Sequence, residues 1–337
     1  MTSRERVRAA ITFQGPDRLP IRHSVLTGAR IKYGKELEDL LAEYEADVVS
    51  GMGRKMPVEE LECDDGRRYR DHWGTVWHEA TGEWLGLPEE HPLADLSKLD
   101  NFEWPDPVED GNWDEVAANI AADNHKHYII GDLGTGGTFF QLYNQIRGFE
   151  DSLCDLIIED PRVEHILDRL MEYLIKEIRK WGELGIDAVN WGDDWGTQQQ
   201  LMIAPELWLK YFRPRYEKMF DVAREYDMLL HFHSDGNVTE IIPFLVDMGV
   251  NVINIQLPIM DLPYLGEQLK GRVTVRGGMD RQQALPFGTP EDVRQNVREV
   301  FSTFGSSAGG WIGNGEIGPD VPLENARAMF EEIRACM

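Results

Sequence analysis

The chain has 337 residues, 42% hydrophobic and 28% charged, enough for a large core built as one domain of barrel size. Its formal net charge of −26 argues against nucleic acid and anionic membrane surfaces as partners, since both are polyanions. The three cysteines, Cys63, Cys154 and Cys336, form no CxxC pair, no 18-residue apolar run occurs, and MTSRERVRAAITF has no long apolar stretch, so a reduced, cytoplasmic protein is expected.

Thr2 and Glu5 stand at capping-box spacing, with Val7, Ala10 and Ile11 following at helical intervals. Pro20 to Val25 is a possible strand, Glu36 to Tyr44 a charged helix with Leu37, Leu40 and Leu41 inward, and Ala46 to Ser50 a buried strand. Arg67 to Trp84 alternates polar and aromatic residues around Gly66, Gly74 and Gly82, which predicts β-hairpins in an inserted cap spanning 61–113. His72 and His78 lie there and are expected to be surface or packing residues.

From Tyr128 onward strands and helices alternate. Tyr128–Gly131 runs into Gly134-Thr135-Gly136-Gly137, which has neither the P-loop lysine nor dinucleotide-fingerprint spacing. Helices are predicted over 138–147, 150–157 and 161–183, then a strand at Ala188–Trp191 and one long helix from Pro205 to Tyr226. Met228-Leu229-Leu230 leads into HFHSDG, His231 to Gly236, with a helix expected to start at Asn237. Strands at Val252–Ile255, Arg272–Val275 and Gly310–Gly313 follow, separated by helices near 262–270 and from Thr289-Pro290, and a last helix carries Leu323, Ala326, Phe330 and Ile333 on one face.

This alternation indicates parallel β/α units. Polar residues recur where strands end: Asp193 and Asp194, then His231, His233 and Asp235, then Asn254 and Gln256, Arg276 and Asp280, and Asn314 and Glu316. The pattern favours a (β/α)8 TIM barrel, with an N-terminal extension and the hairpin insertion, over a doubly wound sheet, because a barrel gathers these ends at one mouth. The whole chain, 1–337, is then one barrel domain.

Each polar strand end carries two meanings. The histidines and Asp235 of HFHSDG suit a divalent metal or a proton transfer, or else rim hydrogen bonds and a helix cap. Asp193 and Asp194 are catalytic acids or ligands, or a turn and an N-cap. Trp191 and Trp195 stack on substrate or pack the rim. Arg276 holds a substrate carboxylate or pairs with Asp280 or Asp193.

The opening TSRERVRAAITFQGPDRLPI, HSDG followed by IIPFLVDMGV, GGMDRQQAL with FGTPEDV, and the ending GPDVPLENARAM together resemble the uroporphyrinogen decarboxylase superfamily over nearly the whole length. The resemblance implies a (β/α)8 barrel and one of two chemistries: cofactor-free decarboxylation of a carboxylated tetrapyrrole, or methyl transfer involving a corrinoid or a thiol, usually with zinc. The decarboxylases' arginine-rich motif is represented here by Arg30 alone, within Leu26 to Arg30, and their histidine four residues before the C-terminal proline is Gly315. The zinc methyltransferases' histidine–x–cysteine motif maps onto His233 and Asp235, and their second cysteine falls near Gly315, with Glu316 beside it. Carboxylates substitute for thiolates as zinc ligands. The resemblance therefore implies a methyltransferase of a corrinoid-dependent demethylating system. Its implied metal, zinc, sits on His233, Asp235 and Glu316; Asp193, Asp194 and His231 serve catalysis; Trp191, Trp195, Asn254, Gln256 and Arg276 bind substrate. Its partners are a small methyl donor and a corrinoid-bearing protein, and the alternative is a decarboxylase acting on another carboxylated substrate.

Overall fold

The computed structural model describes residues 1–80, 86–134 and 137–337. Gly82 and Trp84 of the predicted hairpins, and Thr135 and Gly136 of the glycine cluster, lie outside the described residues.

Seven parallel strands form one curled sheet: β1 (Val48–Ser50), β2 (Tyr128–Asp132), β3 (Ala188–Gly192), β4 (Leu229–Ser234), β5 (Val252–Ile255), β6 (Thr274–Arg276) and β7 (Trp311–Ile312). Spatial neighbours are sequence neighbours throughout, as successive right-handed β/α units require. The outer face packs on helices, the longest being Arg162–Glu183, which buries Val163, Ile166, Leu170, Leu174 and Ile178. This layer holds most of the core. A smaller inner cluster joins Val48, Tyr128, Ile130, Ala188, Val252 and Ile312 to Val7 and Ile11 of helix Ser3–Ile11.

That first helix plugs the N-terminal end of the sheet. Thr2 and Glu5 form the predicted capping box. Arg4 Nε and Arg8 Nη1 donate to Asp187 at 2.8 and 2.9 Å, and Arg6 Nη1 donates to Asp47 at 2.6 Å. Asp187 and Asp47 are buried and stand immediately before β3 and β1, so the plug is fixed by charge as well as by apolar packing.

The closed eight-stranded barrel expected from sequence is met as a seven-stranded sheet. The segment read as a further strand, Pro20 to Val25, is too irregular to be one: two residues, Ser24–Val25, pair in parallel with Glu316–Ile317, and Ile21 makes a lone bridge to Gly313. It still spans the sheet's open edges. Gly313 N donates to Pro20 O and Arg22 N to Gly313 O, both at 2.9 Å, while Asp47 N donates to Ile21 O at 2.7 Å.

A separate four-stranded antiparallel sheet comprises Val58–Leu61, Arg67–Asp71, Val76–Glu79 and Leu87–Glu90. It docks through buried Trp73, whose ring lies 4.5 Å from that of Tyr173, and through Thr75 Oγ1, which donates to Gln145 O. His72 meets the Tyr173 hydroxyl at 3.1 Å, and burial holds its pKa down at about 4. Two helix boundaries differ from expectation. The stretch from Pro205 to Tyr226 is two helices, Pro205–Tyr211 and Arg213–Glu225, divided where Pro214 lacks the N–H a continuous helix needs. The helix after HFHSDG starts at Ile242, because Asn237 Oδ1 accepts from Thr239 N and Oγ1 and folds the chain into an Asx turn.

Candidate metal and active site

Alternation along β3 and its C-terminal extension divides the residues that sequence placed together. Trp191, Asp193 and Trp195 face the helices. Trp191 meets Phe220 edge-on at 4.7 Å, and Trp195 stacks on Phe140 at 4.0 Å and donates its indole N–H to Tyr216. Both tryptophans are fully buried in packing, not presented to the mouth. Asp193 accepts from the backbone N–H groups of Phe139, Phe140 and Gln141 at 2.9–3.1 Å and from the Tyr216 hydroxyl at 2.5 Å. It caps the first turn of helix Phe139–Arg147 from the neighbouring unit, and burial pushes its pKa up to about 6. These placements replace the catalytic and stacking roles expected of the three residues with structural ones.

Asp194 has the opposite parity and faces the mouth. Its Oδ2 accepts from Gln141 Nε2 at 2.7 Å and its Oδ1 from Asp235 N at 2.8 Å. The β3 and β4 ends are zipped together by backbone bonds: Asp193 N to His233 O, Gly196 N to Asp235 O and Asn237 N to Thr197 O. The approach is so close that a Cβ on Gly236, at φ +79°, would fall 2.0 Å from Gly196 O, so the glycine of HSDG is demanded by sterics.

Asp194, His233 and Asp235 each offer a ligand atom, all within 4.8 Å of one another. His233 Nε2 lies 3.6 Å from Asp194 Oδ1. His233 Nδ1 lies 2.9 Å from Asn254 Oδ1. Asn254 cannot be turned over: its Nδ2 donates to Arg276 O at 2.7 Å, and its Oδ1 accepts from Arg276 Nη2, which can only donate, at 3.0 Å. Nδ1 must therefore carry a proton, and Nε2 is the ring nitrogen turned toward the carboxylates. Two negative charges this close repel by about 3 kcal/mol at an effective dielectric of about 20. A divalent cation reverses that cost, and three ligands with the fourth side open is the usual form of a catalytic zinc site. The donor set thus fits a metal, and Asn254 supplies the partner that a ligating imidazole needs on its other nitrogen.

Glu316 does not join this cluster. It lies across the mouth, ion-paired with Arg281 at 2.9 Å, and lines the same cavity. Among the described residues the donor atoms that converge are those of Asp194, His233 and Asp235, with Asp194 where Glu316 was expected. Gly315, where the resemblance put a second cysteine, is packed against Met329, whose sulfur would lie 2.3 Å from an added Cβ. The cavity, about 620 Å³ with its open mouth, is bordered by His233, Asp235, Asn254, Gln256, Asn314 and Glu316 among others. Gln256 Oε1 accepts from Gly236 N, steadying the β4 loop.

His231 sits one layer below His233, buried, with Nε2 3.1 Å from the Tyr128 hydroxyl. Burial, reinforced by the positive charges of Arg276 and Arg22, holds its pKa well below that of an ordinary histidine, so it is a neutral interior group. Arg276 is also buried and reaches Asn254, not Asp280 or Asp193. Sequence reasoning missed Arg22, which enters the barrel beneath Ser24; the period-2 step from a cavity-lining serine was the available signal.

The family described as Uroporphyrinogen decarboxylase (URO-D) matches residues 87–336. A methylcobamide:CoM methyltransferase MtbA from Methanosarcina mazei is 27% identical over 162 residues, 48% of this chain and 46% of its own, so the match spans about half of that relative's length. A uroporphyrinogen decarboxylase from Pseudomonas savastanoi pv. phaseolicola is 23% identical over 274 residues, 78% of this chain and 74% of its own. Among solved structures, a methyltransferase from Methanosarcina mazei superposes with a TM-score of 0.71 over 99% of this chain and 98% of its own, at 16% identity, a likeness of fold.

Proposed function

The chain belongs to the uroporphyrinogen decarboxylase family, and within it we propose that this protein is a metal-dependent methyltransferase serving a corrinoid protein, taking the methyl group from a small methylated donor. One observation carries the reading: ligand atoms of His233, Asp194 and Asp235 converge within 4.8 Å of one another at the open mouth of the sheet. Decarboxylation without cofactor needs one proton donor, not three donor atoms converging on an open side. The methylcobamide-using relatives support the same branch of the family.

Asp194, His233 and Asp235 would hold the ion, zinc being the preferred identity given one imidazole and two carboxylates. When bound, such a cation would supply Lewis acidity that makes the oxygen or nitrogen of a methyl ether or methylamine a better leaving group. Asn254 and Arg276 keep His233 in the ligating tautomer. Arg281 and Glu316, on the opposite lip, are placed to meet the donor's leaving group or the incoming partner. The partner's corrinoid would supply the Co(I) nucleophile that receives the methyl group, while the electron pair of the broken carbon–heteroatom bond would go to the heteroatom, which takes up a proton. The protein's place is the cytoplasm, where its three free cysteines stay reduced.

The test is metal analysis joined to a methyl-transfer assay. About one equivalent of divalent metal is expected in the protein as isolated, lost in His233→Ala together with methylation of Co(I) cobalamin by methylated donors. Carbon dioxide release from a carboxylated substrate, with no corrinoid and no response to chelator, would instead establish the alternative, a decarboxylase. The decarboxylase relatives, matched over three quarters of their length, keep that reading in view.

A further inference from the structure

Below the metal cluster the sheet's interior carries more positive than negative charge. Arg276 is 4% exposed, and among the described residues its Nε and Nη1 have no hydrogen-bond partner, while Nη2 donates to Asn254. Arg22 points into the same interior. It donates Nη2 to Ser50 Oγ at 3.0 Å and keeps part of its surface open, while desolvation works against its charge. Arg276 pairs with Ile312 and Ile21 bridges Gly313, so register sets Arg22 and Arg276 at one level of the ring, with Asp132 on β2 the carboxylate whose charge both feel. Two guanidiniums against one carboxylate leave an excess positive charge inside the barrel. Burying an unpaired charge costs several kcal/mol, so this excess calls for an anion. In a chain of net charge −26, the excess is a local construction and does not follow from composition.

Access follows from register. Arg22 and Ser24 are two residues apart on an extended segment, and Ser24 lines the cavity. Asn254 pairs with His233 across β4 and β5 and touches Arg276, so Arg276 stands level with the metal cluster. Asn314 borders the cavity with its Oδ1 unpartnered.

We propose that Arg22 and Arg276 form an anion subsite inside the barrel, and that the methyl donor is a small carboxylate whose acid group enters this subsite while its methyl end stays beside Asp194, His233 and Asp235. The assignment of the methyl end rests on the methyltransferase reading; the anion subsite does not. It sets the donor's direction, acid inward and methyl outward, so that the transferable carbon meets the mouth from which a partner must approach.

Calorimetric titration with methoxyacetate, and with its neutral counterpart 2-methoxyethanol, tests the subsite. Methoxyacetate is expected to bind at least tenfold tighter than 2-methoxyethanol in wild-type protein, and acetate is expected to compete with it. Because an acid could also bind the metal directly, both titrations are repeated on His233→Ala, where the preference for the acid should persist. Arg22→Gln, which touches none of the three metal ligands, should lose the preference and keep its metal; Arg22→Lys should retain part of it, which separates lost charge from lost folding. Equal binding of the two probes, an unchanged preference in Arg22→Gln, or failure of acetate to compete with methoxyacetate would overturn the subsite. An absent metal with the acid preference intact would overturn only the methyl-transfer reading.

Discussion

Asn254 spends its one amide on both neighbours, accepting from Arg276 and His233 and donating to the Arg276 carbonyl. Replacing it removes the group that fixes the imidazole, so Asn254→Ala should weaken metal binding about 10–100-fold without unfolding the protein, read by competition with a chromophoric chelator. Asp193 makes the contrast. Asp193→Ala leaves three buried N–H groups and a tyrosine hydroxyl without their acceptor. It should cost on the order of 3 kcal/mol in chemical denaturation while leaving the metal content of the folded fraction intact. In the sequence Asp193 and Asp194 are adjacent and chemically identical, and only the parity of the strand separates them. Asn190 inward forces Asp194 inward and Asp193 outward, so counting by twos from β3 would have assigned both. The exclusion of Glu316 could not be counted. It depends on Arg281 arriving from a different loop, and no local pattern announces that pairing.

Loops at the ends of β3 and β4 behave as one element. Their backbone zipper brings Asp194 and Asp235 together, and Gly236 is the point of closest approach. Gly236→Ala must force the loops apart or strain a positive φ. A loss of metal affinity and a fall in melting temperature of several degrees are expected together, the first seen in metal titration and the second in calorimetry. Elements with strong local signals were legible: the capping box at Thr2, the threonine N-cap at Thr289, and the helices at Arg162–Glu183 and Leu323–Ala335. Strand Val58–Leu61 was not. It is mostly exposed, carries two glutamates and acquires its conformation from pairing with Arg67–Asp71. Pro20 to Val25 was legible as extended chain, but its role across the sheet's edges comes from partners nearly three hundred residues away.

Across the whole molecule, polar groups are buried in tiers, and pH reaches them through folding. Burial depresses the pKa of His231, His72 and His23 in the folded protein, whereas an unfolded histidine titrates near 6.5. The unfolded chain therefore takes up protons that the native protein refuses. Stability contributed by these groups is complete above about pH 6.5 and declines as the pH falls below it, by up to about 1.4 kcal/mol per pH unit for each histidine. His231→Gln should flatten the stability–pH curve between about pH 6.5 and 5 by one such increment, measured by urea denaturation across that interval. The stitch between Ile21 and Gly313 carries a different consequence, one of timing. On the ribosome, the strands emerge in the order in which they sit in the sheet, so each can dock on its predecessor as it appears. The ring itself stays ajar until the polypeptide has been synthesised past residue 313, and for most of translation its first edge has no neighbour. A nascent chain halted before Trp311 should be cut by protease within residues 20–25, and release of the final stretch should abolish that cleavage in a single late step.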